Sequence, residues 1–369
     1  TVWIEFMEVP PSLEPYRLLR FKARAPKGQA QEVCIRFDNA EDAYLQAYLP
    51  PLHKKGKWTE VEIPLPSMSR TGDPAPDSGL VLSLIQFGSK GCRLELDDIQ
   101  LVRGANGWAQ TKEEHLASLF GEKRVKKVKE IETDHFRIYT DSSGARTKFP
   151  RALEKAYVFV RKALDLPEME NPLDVFIFQN SELYFDFCMR NGWTREEAVE
   201  SAGHAWSGYF ATYYQAPNSP VVTHELTHSL VHRTWGNGGG SWYQEGTAVC
   251  VEERWQKRDA ATLFASRLRS GETMPLAEFM QKKRLIRSDD VRGGAGTAGA
   301  LYDQAGAFFE FLMRGPFAER RPNAIRELAK VDWDADTIVE RVERIYGTTL
   351  LEIETAWKEW GSDPPKLPR

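Results

Sequence analysis

Cysteine is scarce: only four occur in 369 residues, too few for a disulfide framework. Cys34 and Cys92 sit in strand-like runs and can pair if those strands adjoin. Cys188 and Cys250 read as small buried hydrophobes on helices, and no thiol has the neighbours of a catalytic nucleophile. No stretch reaches the roughly 18 consecutive apolar residues that a membrane span needs. Neither sign of charge dominates. With 49 basic and 53 acidic residues the net charge is −4, which does not suggest a nucleic-acid partner. The dense basic run Lys123–Lys129 is broken by Val125 and Val128 and followed by acids, so it reads as a solvated helix face or linker. A leader is not visible. The chain begins at Thr1 rather than Met, which reads as a processed or truncated product, and the expected location is extracytoplasmic or secreted.

What is present divides near residue 105. Strand-like runs recur at Val2–Val9, Tyr16–Ala25, Gln31–Phe37, Tyr44–Leu49, Trp58–Pro64, Leu80–Phe87 and Cys92–Val102, separated by Pro, Gly and Asp turns. Short, regular strands predict an all-β sandwich over 1–103. Residues 104–129 read as a linker carrying a helix at Lys112–Phe120. From Ile131 the period changes: a strand at Phe136–Thr140, a helix at Thr147–Leu164, a strand at Leu173–Gln179 and a helix at Glu182–Arg190. Residues 201–212 read as one further strand. Beyond Ala260 the pattern is helical, ending with Asp336–Tyr346 and Leu350–Trp360. The chain is therefore expected to be multidomain, with a second, α+β domain over 130–362 and a tail at 363–369.

Histidine is also rare, with seven in the chain, yet two flank Glu225 in His224-Glu225-Leu226-Thr227-His228. Residues four apart share a helical face, so both imidazoles can reach one Zn²⁺ at about 2.0–2.1 Å. Glu225 stands where a carboxylate can take a proton from an attacking water. Val221, Val222, Leu226, Leu230 and Val231 give the segment an apolar stripe. Ser219-Pro220 reads as an N-cap and first turn, and the glycines of 236–240 as the stop. The bland alternative is two satisfied core histidines with an acid between them. His232 is rejected as a third ligand, because eight residues of helix separate it from His224 by roughly 12 Å. It is expected near the helix C-terminus, partly charged and favoured by the helix dipole. Glu245 is the better candidate, since a second helix follows the glycine turn and must pack back on the first.

The His-Glu-x-x-His pattern, the sixteen residues between His228 and Glu245, and Trp242-x-x-Glu245-Gly246-x-Ala248 together resemble the zinc signature of gluzincin metallopeptidases. The likeness is to the peptidase MA-like families and, more distantly, to aminopeptidase N. It implies one catalytic Zn²⁺ held by His224, His228 and Glu245, with Glu225 as general base. Glu252 matches the acid those families often carry seven residues after the ligand glutamate. It would orient a ligand histidine or, equally, sit as a solvated acid beside Glu253. Tyr302 is similar to the tyrosine that stabilises the oxyanion in the aminopeptidase relatives. It is read near the start of a helix that follows a loop with Gly293, Gly294, Gly296 and Gly299, and it can also be an ordinary packing aromatic. Gly208 and Tyr209 fall on the strand that in gluzincins binds substrate backbone, with His204 facing the cleft or a solvated loop. A counterpart of the segment that captures a free amino terminus is missing, which favours an endopeptidase.

Residues 1–103 resemble galactose-binding-like jelly rolls, whose last strand often reads like Leu94–Leu101. The implied partners are a protein or peptide substrate and a glycan ligand for the jelly roll. Two further functions stay open: a zinc hydrolase of glycopeptide or cell-wall amides, and a non-catalytic glycan-binding protein.

Overall fold

The computed structural model describes residues 2–6, 10, 12–25, 33–38, 44–48, 56–71, 81–86, 94–104, 112–191, 193–205, 208–285 and 295–365. The chain forms two compact units, Thr1–Val128 with Glu182–Glu200, and Lys129–Ser181 with Ser201–Arg369.

The first unit carries strands β1 (Val2–Phe6), β2 (Tyr16–Arg24), β3 (Val33–Asp38), β4 (Tyr44–Tyr48), β5 (Thr59–Pro64), β6 (Ser69–Thr71), β7 (Val81–Gln86) and β8 (Glu95–Arg103). They make two antiparallel sheets, ordered β1-β7-β3-β4-β6 and β5-β2-β8. Successive side chains of a strand point to opposite faces, and β2 uses this cleanly. Leu19, Phe21 and Ala23 are buried in one cluster with Val61 and Ile63 of β5 and Ile35, Phe37, Leu45 and Leu82 of the other sheet. Arg20 and Lys22 on the other face pair with Glu62 (2.6 Å) and Asp98 (3.3 Å). The pairing of β8 with β2 shifts between Arg20 and Lys22, and Asp98 there takes a left-handed backbone (φ 55°), as a bulge residue can. Cys34 and Cys188 are buried; Cys92 lies outside the described residues, and with it the expected pairing with Cys34. Helix α1 (Lys112–Phe120) buries Leu116 and Phe120. The lysines at 123, 126, 127 and 129 are exposed around a short 3₁₀ turn at Val125–Lys127. Helices α3 (Ser181–Arg190) and α4 (Arg195–Glu200) belong to this unit, and Arg190 donates to the Leu119 carbonyl.

The second unit holds a mixed sheet ordered β12-β13-β11-β10-β9. Its strands are β9 (Lys129–Glu132), β10 (Phe136–Thr140), β11 (Leu173–Phe178), β12 (Gly203–Ala205) and β13 (Tyr209–Tyr213). The central three run parallel, while β9 and β12 are antiparallel edges. Residues 201–212 are thus two antiparallel strands rather than the single strand expected. Helix α2 (Phe149–Leu164) buries Phe149, Leu153, Ala156, Tyr157, Val160 and Leu164, the three-and-four spacing of one face.

Helices α5 (Pro220–Thr234), α6 (Ser241–Trp255), α7 (Ala260–Ser270), α8 (Leu276–Met280), α9 (Ala295–Arg314), α10 (Pro316–Arg320), α11 (Ala324–Leu328), α12 (Ile338–Tyr346) and α13 (Leu350–Ser362) complete the unit. Trp242, Phe308, Trp357 and Leu226 share one large core that runs from the sheet through the helices. Helices α6 and α9 cross closely at Gly246, where a β-carbon would stand 2.6 Å from the Ala305 carbonyl oxygen. That contact gives the glycine after Glu245 a packing reason. Among the described residues, no helix is long and apolar enough to cross a membrane.

Candidate metal centre

Helix α5 begins where its sequence predicts, with Ser219 at the N-cap and Pro220 in the first turn. The Ser219 hydroxyl donates to Gln215 Oε1 (3.2 Å) and does not cap the helix. Four residues apart on this helix, His224 and His228 bring their Nε2 atoms to 3.2 Å. Glu245, in the second turn of α6, completes a triangle: its Oε2 lies 3.3 Å from His224 Nε2 and 3.5 Å from His228 Nε2. Tetrahedral ligands at about 2.0–2.1 Å from a metal stand about 3.3–3.4 Å from one another. The three donor atoms therefore already have the spacing of one face of such a coordination shell. Among the described residues they are the group able to hold a metal ion.

The surrounding contacts hold those donors in place. Glu252 Oε2 accepts from His224 Nδ1 at 3.0 Å, which turns Nε2 toward the site. Glu253 instead pairs with Arg258. Burial opposes charge on His224, yet its hydrogen bonds to Glu245 and Glu252 outweigh it and hold the imidazole pKa well above the usual range. Burial likewise raises the Glu245 carboxyl, but the two histidines pull it far down.

Glu225 is 6% exposed, and burial pushes its pKa up to about 7 against the opposing pull of the histidines. It rests on the edge strand. A β-carbon on Gly203 would lie 2.9 Å from Cγ and 3.0 Å from Oε1 of Glu225. Sequence reading did not single out Gly203; a glycine in a strand is the signal that marks such a close approach.

Tyr302 packs its ring against the core, and burial and then the nearby Glu245 charge raise the pKa of its hydroxyl well above normal. Its place in the helix differs from expectation. Helix α9 starts at Ala295, so Gly296 and Gly299 are helical and Tyr302 stands in the third turn; Gly293 and Gly294 lie outside the described residues. Gly208 precedes and Tyr209 opens β13, an interior strand; Tyr209 aligns with Asp174 of β11, and the sheet edge on that side is β12. His204 is on that edge strand, its ring 6.0 Å from that of Tyr209, and burial lowers its pKa to about 3. It stands on a strand, partly buried, rather than in a loop.

His232 lies outside the donor group, with its ring 6.2 Å from that of His228. The expected dipole-favoured charge is overturned: burial, then the neighbouring His228, lower its pKa to about 4. Cys250 is also buried, and its thiol is pushed up to about 12 by that burial, far from nucleophilic use. Compared with known families and with curated proteins, the chain matches none.

Proposed function

We propose that this chain is a zinc-dependent metallopeptidase of the gluzincin type, acting as an endopeptidase. The observation that carries the reading is the preformed triangle of His224 Nε2, His228 Nε2 and Glu245 Oε2, with the buried Glu225 in the same helical turn. Two imidazoles and a carboxylate suit zinc by donor chemistry. Zinc, when bound, supplies Lewis acidity toward a carbonyl and toward water. Glu225 takes a proton from the attacking water as the new C–O bond forms. It returns that proton to the amine nitrogen as the C–N bond breaks. Tyr302 keeps its phenolic proton and donates it in a hydrogen bond to the developing oxyanion. Glu252 holds His224 in the tautomer that presents Nε2.

The two antiparallel sheets with a common core support a jelly-roll sandwich for the first unit, a module of the glycan-binding type. A glycopeptide or cell-wall amide substrate would join the two activities in one chain.

The test is a peptide-library digest with metal analysis. One zinc per chain, cleavage lost on chelation and restored by zinc are the expected results. Glu225→Gln should retain its zinc and lose turnover by about 10²–10⁴-fold. Substantial cleavage by that zinc-loaded variant would sink the assignment.

A further inference from the structure

A cleft of about 430 Å³ reaches the donor triangle at Glu245, and Tyr302, Trp333, Lys283 and Arg284 also line it. Trp333 is a fixed wall, because its indole Nε1 donates to the Met280 carbonyl at 2.9 Å. Lys283 and Arg284 are exposed and form no ion pair among the described residues. The first turn of α6 also lines the cleft through Ser241, and its N-cap Gly240 offers no side-chain cap. A helix start of this kind adds partial positive charge. Among the described residues the acid lining the cleft is Glu245, whose carboxylate is turned to the histidines. Asp332 and Asp334, on either side of Trp333, do not line it.

The space next to the reacting bond is therefore cationic, walled by an aromatic ring and large enough for a side chain or a chain end. We propose that this cleft binds a carboxylate of the substrate adjacent to the scissile bond, held by Lys283 and Arg284. The inference rests on the metallopeptidase reading and names its substrate class: peptides with an acidic residue or a free C-terminus at that position. A guanidinium can grip a carboxylate with two parallel hydrogen bonds, and the ammonium adds a point charge. Because both cations are solvated, their joint effect is about five- to tenfold in affinity, and salt weakens it.

Three zinc-directed probes test this by calorimetry on zinc-loaded protein: malonyl hydroxamate coupled to glutamic acid α-amide, to glutamine α-amide, or to glutamine with its free carboxylate. One carries an acidic side chain, one is neutral, and one carries a chain-terminal carboxylate. At least one charged probe should bind about five- to tenfold tighter than the neutral one, and which does so identifies the source of the carboxylate. The advantage should shrink in 0.5 M salt, on the order expected for a Debye length of about 4 Å, and vanish in a Lys283→Gln/Arg284→Gln double variant. That variant should bind the neutral probe as the unaltered protein does. Equal affinity for all three probes, no binding by zinc-loaded protein, or an advantage that survives the double substitution would overturn the proposal and leave the metal centre standing. A chain that takes up no zinc overturns the metallopeptidase reading, and this inference falls with it.

Discussion

Two charged clusters share helix α6, one with α9 and the other with α5, and they are built on opposite terms. At one end Glu310 is fully buried and accepts from Arg314 Nη1 (2.7 Å), Arg254 Nη2 (3.3 Å) and the Ala261 amide (3.0 Å). Arg314 also reaches Asp259 at 3.3 Å, so two acids face two arginines. At the other end three carboxylates, Glu225, Glu245 and Glu252, surround two histidines, and no lysine or arginine pairs with them among the described residues. The first cluster is balanced and closed. The second carries an excess of negative charge beside a cleft, which a divalent cation would offset. Burial of charge alone does not separate the closed network from the candidate site in this molecule; its balance does.

The contrast can be broken from either end. Glu310→Ala should remove the acid shared by two half-buried guanidiniums, Arg254 and Arg314, and cost about 3 kcal/mol in urea unfolding, with zinc stoichiometry preserved below the transition. A loss under about 1 kcal/mol would show the balanced cluster to be incidental. Next in size, Glu252→Gln should weaken zinc binding by about 10–100-fold in a chelator competition. The zinc-free protein should keep its stability, because one surplus carboxylate is gone. Unchanged zinc affinity would return Glu252 to the role of a bystander.

Gly203→Ala should push the Glu225 carboxylate off the edge strand. Turnover of a cleaved peptide is expected to fall by about tenfold, short of the ~10²-fold that a full 1 Å misplacement can cost, with zinc content and KM unchanged. A matching fall in zinc content would mean that the glycine serves the fold and not the base. The smallest effect lies away from both clusters. Burial disfavours charge on His135, but its contacts with Glu154 (2.7 Å) and Glu168 (3.3 Å) raise its pKa above 6.5 overall. A raised folded-state pKa stabilises the fold fully below the unfolded value and loses that contribution as pH climbs through the folded one. The melting-temperature gap between the protein and His135→Gln should therefore be widest below pH 6.5 and close as the pH rises above it. A gap independent of pH would assign His135 a packing role alone, through its ring 4.0 Å from that of Tyr157.

Much of the candidate site was legible because it depends on local spacing. The interval from His224 to His228 and the capped, apolar run around it define α5 without help from the rest of the chain. The strands of the first unit were readable from their turns, except β6, whose three residues are too few to show a period. What failed depended on partners distant in sequence. Residues 201–212 alternate like a single strand, and only the pairing of His204 with Ala211 shows the chain doubling back. The glycines of α9 argue against helix by propensity, yet Gly306 is held where a β-carbon would strike Val249 of α6, a tertiary contact that overrides it. His232 sits at a helix end, where the dipole favours charge, but the residues packed around it decide otherwise.

The close crossing at Gly246 makes α6 a shared axle. One rigid rod carries Glu245 and Glu252 of the candidate centre and Arg254 of the closed network, and its seat on α9 is set by the bare glycine against the Ala305 carbonyl. A methyl group added there would lift or slide the rod, moving the donor triangle and the arginine together. Zinc affinity would then act as a gauge of helix packing, and small residues at this crossing would be a dial for tuning the metal site without touching a single ligand.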